Sequence, residues 1–229
     1  MSQDPTSLAD FSGTARLFPL PNLVLFPYVI QPLHIFEPRY RQMMDDALDD
    51  DRLLALVLLR PGWEEDYHLR PAIFGVACLG TISNEEHLAD GRYNLLLHGL
   101  RRVRVVEELS APKLYRSARV ELLEDVPASA KAECQLRKEL ARRVPDWFAA
   151  HAGALQQAKQ LLKSGLNVAT LCDIFSFALP LDAEFKQQLL EETDVEKRTR
   201  GLLDHLQTQS PAAASTDMNR PFPPGFSTN

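Results

Sequence analysis

Ile73-Phe74-Gly75-Val76-Ala77-Cys78-Leu79-Gly80-Thr81-Ile82-Ser83, followed by Ala89-Asp90-Gly91-Arg92 and then Tyr93-Asn94-Leu95-Leu96-Leu97, reads as two strands folded back on each other. The Asp-Gly pair supplies the positive φ that a tight hairpin turn needs. Gly75 and Gly80 inside the first strand predict a bend or bulge. Gly99 is expected to break the chain after the return strand. Arg101–Leu109 then alternates, with Val103 and Val105 on one face and Arg102 and Arg104 on the other.

Strand signals continue on both sides of this hairpin. Leu53–Leu59 is an unbroken apolar run and reads as a buried strand, and Ala118–Leu122 reads as one more. Several short strands joined by tight turns predict a small barrel or a strongly curved sheet. One helix interrupts them. Tyr40, Met43, Met44, Ala47 and Leu48 fall on one helical face, and Pro38 suits its first turn, where a missing N–H costs nothing. Asp45, Asp46 and Asp49-Asp50-Asp51 are expected on its solvated outer face.

The period changes after Val126-Pro127-Ala128-Ser129. Leu136, Leu140, Val144, Trp147 and Phe148 form a helical stripe, which Pro145 is expected to kink or divide. Leu155, Ala158, Leu161 and Leu162 form a second, with Gly165 in the C′ position. Val168, Leu171, Cys172 and Phe175 form a third, stopped before Pro180. Asp182 is placed to cap a fourth helix carrying Phe185, Leu189 and Leu190. Thr193-Asp194-Val195-Glu196 reads as a capping box opening a fifth, with Val195, Thr199, Leu202, Leu203 and Leu206 inward. The expected organisation is a loose N-terminus over 1–13, a β-rich lobe over 14–125, a helical lobe over 126–207 and a flexible Pro-rich tail over 208–229.

Composition narrows the function. The 229 residues carry a net charge of -6, which disfavours general nucleic-acid binding. No apolar run reaches the length of a membrane span and the first residues lack a signal-peptide pattern, so a cytoplasmic protein is expected. Cys78, Cys134 and Cys172 are far apart in apolar patterns and read as buried free thiols.

Catalytic signatures are missing: there is no P-loop, no Gly-x-Ser-x-Gly, no His-Glu-x-x-His, no Cys-x-x-Cys and no Gly-x-Gly-x-x-Gly. Glu85, Glu86 and His87 converge poorly for a metal, because neighbours on a strand point to opposite faces. Lys163-Ser164 is not a serine–lysine dyad, because adjacent residues on a helix do not face each other. No catalytic residue, metal or cofactor is expected, and a hydrolase resting on His87 or Ser164 stays a distant rival.

Two blocks resemble a known family. Leu17-Phe18-Pro19-Leu20-Pro21-Asn22-Leu23-Val24-Leu25-Phe26-Pro27 leads into Pro32-Leu33-His34-Ile35-Phe36-Glu37-Pro38-Arg39-Tyr40-Arg41-Gln42-Met43. This resembles the opening of the Lon protease N-terminal domain, especially its free-standing relatives. Gly75 through Asp90-Gly91 to Leu97-His98-Gly99-Leu100-Arg101-Arg102-Val103-Arg104-Val105 resembles that domain's second half. Leu179-Pro180-Leu181, Lys186–Glu191 and Val195–Arg198 are similar to its closing helices, so the resemblance runs from Ala15 to Leu206. It implies an α+β fold: a PUA-like small β-barrel or curved-sheet lobe with one inserted helix, then a C-terminal helical bundle. It also implies recognition of protein substrates without the ATPase and peptidase domains, which have no room or motifs here.

The resemblance transfers no short site motif. Tyr28, Val29 and Ile30 form an apolar segment beside a turn and read either as a peptide-docking patch or as core. Trp63 and Tyr67 lie in a mixed loop, where the tryptophan is either a lid on the core or a contact anchor. Glu37, Pro38, Arg39 and Tyr40 match the family block, with Glu37 and Arg39 expected to act structurally as a charge pair at a helix start. The expected partner is a polypeptide or protein, with a protease or chaperone among the candidates; no membrane is expected, and the oligomeric state is open. The alternative is an RNA-binding module using Arg101, Arg102, Arg104 and Arg116 on one strand face.

Overall fold

A computed structural model describes residues 8, 11–65, 69–110 and 112–209. The described residues form one six-stranded sheet and six helices, an α+β protein in two compact units that divide after Leu123. The expected loose segments, 1–13 and 208–229, lie for the most part outside the described residues.

The first unit holds β1 (Thr14–Leu20), β2 (Ile30–Ile35), α1 (Pro38–Leu48), β3 (Leu53–Leu58), β4 (Val76–His87), β5 (Tyr93–Leu109) and β6 (Arg116–Leu122). The strand order is β2-β5-β4-β3-β1-β6, and β6 pairs with β5 as well as β1. The pairings therefore close a ring through β5, with β2 added outside it. β3 is buried at every position, as its unbroken apolar run predicts. Leu17, Ala55, Val57, Leu79, Val103 and Val120 meet in the core.

β5 departs from expectation. It is one strand of 17 residues, not two segments broken at Gly99. Gly99 stays in the ladder and serves a neighbour: a Cβ there would overlap the Phe26 carbonyl oxygen. The glycine admits close backbone approach and does not end the strand. Gly80 behaves as predicted, at a register shift between β4 and β5. β4 itself starts at Val76 and runs on to His87, later at both ends than the sequence pattern suggests.

The acidic face of α1 lies at the surface as expected, with Asp45, Asp49, Asp50 and Asp51 exposed and Asp46 half-buried. Pro38 occupies the first turn, and Tyr40, Met43, Met44 and Ala47 are buried. The acids around them are engaged. Tyr93 donates its hydroxyl to Asp45, and Asp46 accepts the Tyr115 hydroxyl at 2.7 Å and the Lys113 ammonium at 2.9 Å. Arg16 bonds Asp50 and Asp51, each at 2.6 Å. Polar groups too far apart in sequence to be paired by inspection thus fasten the helix to the sheet.

The second unit holds α2 (Ala130–Trp147), α3 (Ala152–Lys163), α4 (Val168–Ala178), α5 (Ala183–Glu191) and α6 (Val195–Thr208). Their buried faces follow the stripes read from the sequence, and Asp182 caps α5 by accepting the Phe185 N–H at 2.7 Å. Pro145 sits in the last turn of α2, which ends two residues later at Trp147. Gly165 does not take the left-handed conformation. Ser164 ends α3 instead, its N–H and hydroxyl both donating to the Leu161 carbonyl. The cap of α6 is Asp194, one residue after Thr193, with its carboxylate accepting the Lys197 N–H at 3.0 Å. Cys78 and Cys172 are buried, but Cys134 is exposed on α2.

Candidate functional site

The turn leading into β2 is held open by the backbone. The Tyr28 N–H donates to the Gly99 carbonyl at 2.8 Å, and the Gly99 N–H donates to the Val29 carbonyl at 2.8 Å. This clamp places Tyr28 at a φ of 66°, a conformation unfavourable for a side chain with a Cβ. The strain accompanies presentation: Tyr28 is 61% exposed, while its neighbour Val29 is buried.

Strand periodicity extends the presented surface. Gln31, Leu33 and Ile35 are buried, whereas Ile30 is 45% exposed and His34 half-buried. Phe36, just past the strand end, is 40% exposed, and its ring stacks on His34 with centroids 6.2 Å apart. On the neighbouring strand Ile30 faces His98, Pro32 faces Leu96 and His34 faces Asn94. Pro32 is itself buried, so the exposed apolar side chains on this side are Ile30 and Phe36, with half-buried Leu96, His34, Asn94 and His98 around them. His34 Nδ1 and the Asn94 side-chain oxygen are 2.7 Å apart, so that polar pair is satisfied within the surface.

Two shallow concavities lie beside this face and share Tyr40. One is lined by Phe18, Leu33, His34, Phe36 and Glu37, the other by Pro19, Arg39, Leu59, Leu69, Pro71 and Arg116, and neither encloses more than about one water. The charges around them are engaged. Arg39 pairs with Glu37 at 2.9 Å and lies over the Tyr40 ring at 4.6 Å. Arg116 pairs with Glu108 and donates to the Pro71 carbonyl. The Arg116 guanidinium holds Glu108 below the usual carboxylate range. Tyr40 is buried and donates its hydroxyl to the Pro19 carbonyl at 3.2 Å. Glu37, Pro38, Arg39 and Tyr40 thus build the start of α1; Tyr40 lines both concavities, Glu37 one and Arg39 the other.

The other sequence candidates disperse. Trp63 is half-buried in the β3–β4 loop, beside Gly62 at a φ of 87°. Tyr67 lies outside the described residues. The basic strand face is a ladder of ion pairs: Arg104 with Glu121 at 3.7 Å, Arg119 with Glu107 at 2.9 Å and Arg116 with Glu108 at 2.5 Å. Arg102, expected to point outward, is only 3% exposed, while Arg101 is on the surface. The reason is the register: Arg102 lies opposite Cys78 in the fully buried part of β4. No group of three His, Cys, Asp or Glu side chains among the described residues is placed to hold a metal.

Phe36, Leu96 and His98 were not among the residues singled out from the sequence. A period of two counted from Ile30 reaches Phe36, but the contribution of β5 depends on strand register, which sequence does not show.

A six-stranded sheet and six helices define an α+β protein, and the comparisons with known proteins give that fold a family. A family model described as the ATP-dependent protease La (LON) substrate-binding domain matches residues 14–208. The chain belongs to this family. The match is to the substrate-binding domain and not to a peptidase domain. Lon protease 2 of Myxococcus xanthus is 30% identical over 205 residues, covering 86% of this chain and 24% of that protein. Lon protease of Escherichia coli K12 is 23% identical over 193 residues, covering 84% and 24%. The chain spans about a quarter of the length of the curated relatives it matches. The N-terminal domain of Mycobacterium avium complex Lon protease shares the fold with a TM-score of 0.67 at 18% identity, covering 86% of this chain and all of that one. A Lon N-terminal domain protein from Xanthomonas campestris aligns with a TM-score of 0.60 at 24% identity, covering 83% and 97%. No helix among the described residues is long and apolar enough to cross a membrane.

Proposed function

We propose that this chain is a non-catalytic module that recognises polypeptide, taking apolar segments on the outer face of β2 and β5. The row of exposed apolar side chains Tyr28, Ile30 and Phe36 carries this reading. Large apolar side chains are costly to leave in water and favour a partner that covers them. Membership of the substrate-binding family supports the same reading. The ring of strand pairings supports a PUA-like barrel as the scaffold of a lobe over 14–125, followed by a helical lobe over 126–207. Three unpaired cysteines, one of them exposed, fit a reducing cytoplasm.

The bound segment lies across the face and does not add as a strand. β2 contains Pro32, which has no N–H to offer an incoming strand, and the Pro32 carbonyl already accepts the Gln31 side-chain amide at 2.6 Å. The RNA-binding alternative is the poorer reading, since Arg104 and Arg116 meet carboxylates and Arg102 is buried; Arg101 is the remaining one of the four and is exposed.

The test is fluorescence anisotropy with a labelled peptide rich in Phe and Leu. Burying two such anchors contributes about 1.5–3 kcal/mol each, so Tyr28→Ser combined with Ile30→Ser weakens binding at least about tenfold. Unchanged affinity in that double variant overturns the proposed surface.

A further inference from the structure

The face on β2 and β5 has a fitting occupant within its own chain. Residues 210–229 lie outside the described residues, and their sequence is mostly small and polar. The large apolar side chains there are Met218, Phe222 and Phe226, and both phenylalanines stand in Pro221-Phe222-Pro223-Pro224-Gly225-Phe226. No Asp, Glu, Lys or Arg follows Arg220. A stretch of this composition cannot bury two aromatic rings in a core of its own, so only another surface can take them out of water.

Three properties of the face match this segment. The first is spacing. Ile30 and His34 lie on one side of β2 with the buried Pro32 between them, about 13 Å apart along the strand. The Phe36 ring stacks on His34, so the row runs from an exposed isoleucine to an aromatic pair. Phe222 and Phe226 are also four residues apart, about 12 Å in the polyproline conformation that their neighbouring prolines favour. The second is backbone chemistry. Pro221, Pro223 and Pro224 have no N–H and cannot extend the sheet beside Pro32, but proline rings pack well on an exposed aromatic such as Tyr28. The third is charge. The row from Ile30 to Phe36 and the facing Asn94, Leu96 and His98 include no Asp, Glu, Lys or Arg, so an uncharged segment docks without stripping water from an ion.

We infer that residues 221–226 seat on the β2–β5 face of their own chain, with the two phenylalanines over Ile30 and the His34–Phe36 pair, and compete there with incoming polypeptide. This docking rests on the polypeptide-binding reading of the face. Phe222 follows Gln209 by thirteen residues, a reach of up to about 45 Å, against a radius of gyration of about 13 Å for a unit of roughly 100 residues. Such a tether presents the segment at a millimolar effective concentration, so a contact with a millimolar dissociation constant is made about half the time. A separate polypeptide at micromolar concentration has to displace it.

The test compares the full chain with its variant F222S/F226S. The backbone amide resonances of Tyr28, Ile30 and Phe36 differ between the two proteins, by the same amount at about 20 µM and about 200 µM, as an intramolecular contact requires. The labelled peptide rich in Phe and Leu binds the variant at least about twofold more tightly than the parent, because nothing competes for the face. A synthetic peptide of residues 219–229, added at millimolar concentration, returns the variant's resonances toward those of the parent. Amide resonances at the face that are identical in the two proteins overturn the docking, and so do differences that grow with protein concentration, which place the segment on a neighbouring molecule. The polypeptide-binding reading fails separately. Shifted resonances with a labelled peptide that binds neither protein support the docking and sink that reading. Peptide binding that depends on Tyr28 and Ile30 but is equal in the two proteins keeps that reading and overturns the competition.

Discussion

The guanidinium of Arg198 on α6 lies 3.3 Å from the carboxylate of Asp173 on α4, and neither side chain has exposed surface. Arg198 also donates to both Asp125 oxygens, at 3.0 and 2.7 Å, and to the Glu192 carbonyl at 2.7 Å. One side chain therefore ties α4, α6, the α5–α6 connection and the segment before α2. Burial alone would lower its proton affinity, but the Asp125 bonds and the Asp173 charge more than reverse this, and its pKa is raised.

Removing that cation takes the opposing charge of Arg198 away from the fully buried Asp173 carboxylate. Arg198→Ala is expected to cost about 3–5 kcal/mol in urea unfolding. Arg198→Met combined with Asp173→Leu removes both charges and is expected to cost much less. A double variant as unstable as the single one would show that the charges matter only as packing volume.

Alkaline pH probes the joint between α1 and the sheet. Burial, then the hydrogen bonds to Asp45 and Asp46, push Tyr93 and Tyr115 each up to about 12. In an unfolded chain a tyrosine titrates near pH 10. The raised folded values mean that the stabilisation is complete below about pH 10 and is lost as pH rises to about 12. Tyr115→Phe removes a hydrogen bond to a carboxylate, worth about 1.5–3 kcal/mol at neutral pH, and flattens the alkaline loss. The check is urea midpoints for both proteins from pH 8 to 12; parallel curves would count against the joint.

Gly99 tests whether the backbone clamp sets the binding face. Gly99→Ala drives a Cβ into the Phe26 carbonyl, which cannot swing aside as a side chain can. A loss of about 1–3 kcal/mol is expected, with faster amide exchange at Tyr28. Stability and exchange both unchanged would mean that the turn and β5 are not coupled.

Tyr28 should show opposed effects on stability and binding. Tyr28→Gly relieves a left-handed residue, offset in part by the freedom of glycine in the unfolded chain, and is expected to change stability by no more than about 1 kcal/mol, toward the stable side. The same substitution removes the most exposed aromatic of the face and weakens peptide binding. Anisotropy and thermal melts on one preparation separate the two effects; weaker binding accompanied by a clearly lower melting point would mean that the turn itself had been lost.

Much of the architecture was legible because it is written in local chemistry. The period-two and period-3.6 patterns predicted the helices and β3 to β6 but singled out neither β1 nor β2, Asp90-Gly91 predicted the hairpin, and Asp182 its helix cap. Glycine roles were less legible, because the same residue type breaks, bulges or merely makes room. Gly99 makes room for Phe26, and Gly165 does not take its expected capping conformation. Of the candidate site, Tyr28 and Ile30 were found from the sequence, but Val29 is buried and the partners of Ile30 came from β5.

By itself, the order of residues determined the α+β class, the positions of the helices and of β3, β4 and β6, and the inward faces of the helices, since these depend on neighbours within a few residues. Tertiary structure decided which charges are free. Asp46, Asp50 and Asp51 stay at the surface, but only the fold brings Tyr115, Lys113 and Arg16 to them, and Arg198 is buried only because α4 and Asp125 close around it. The physical reason is range: a side chain's period is fixed by its own backbone, but its electrostatic partner is fixed by chain segments tens of residues away.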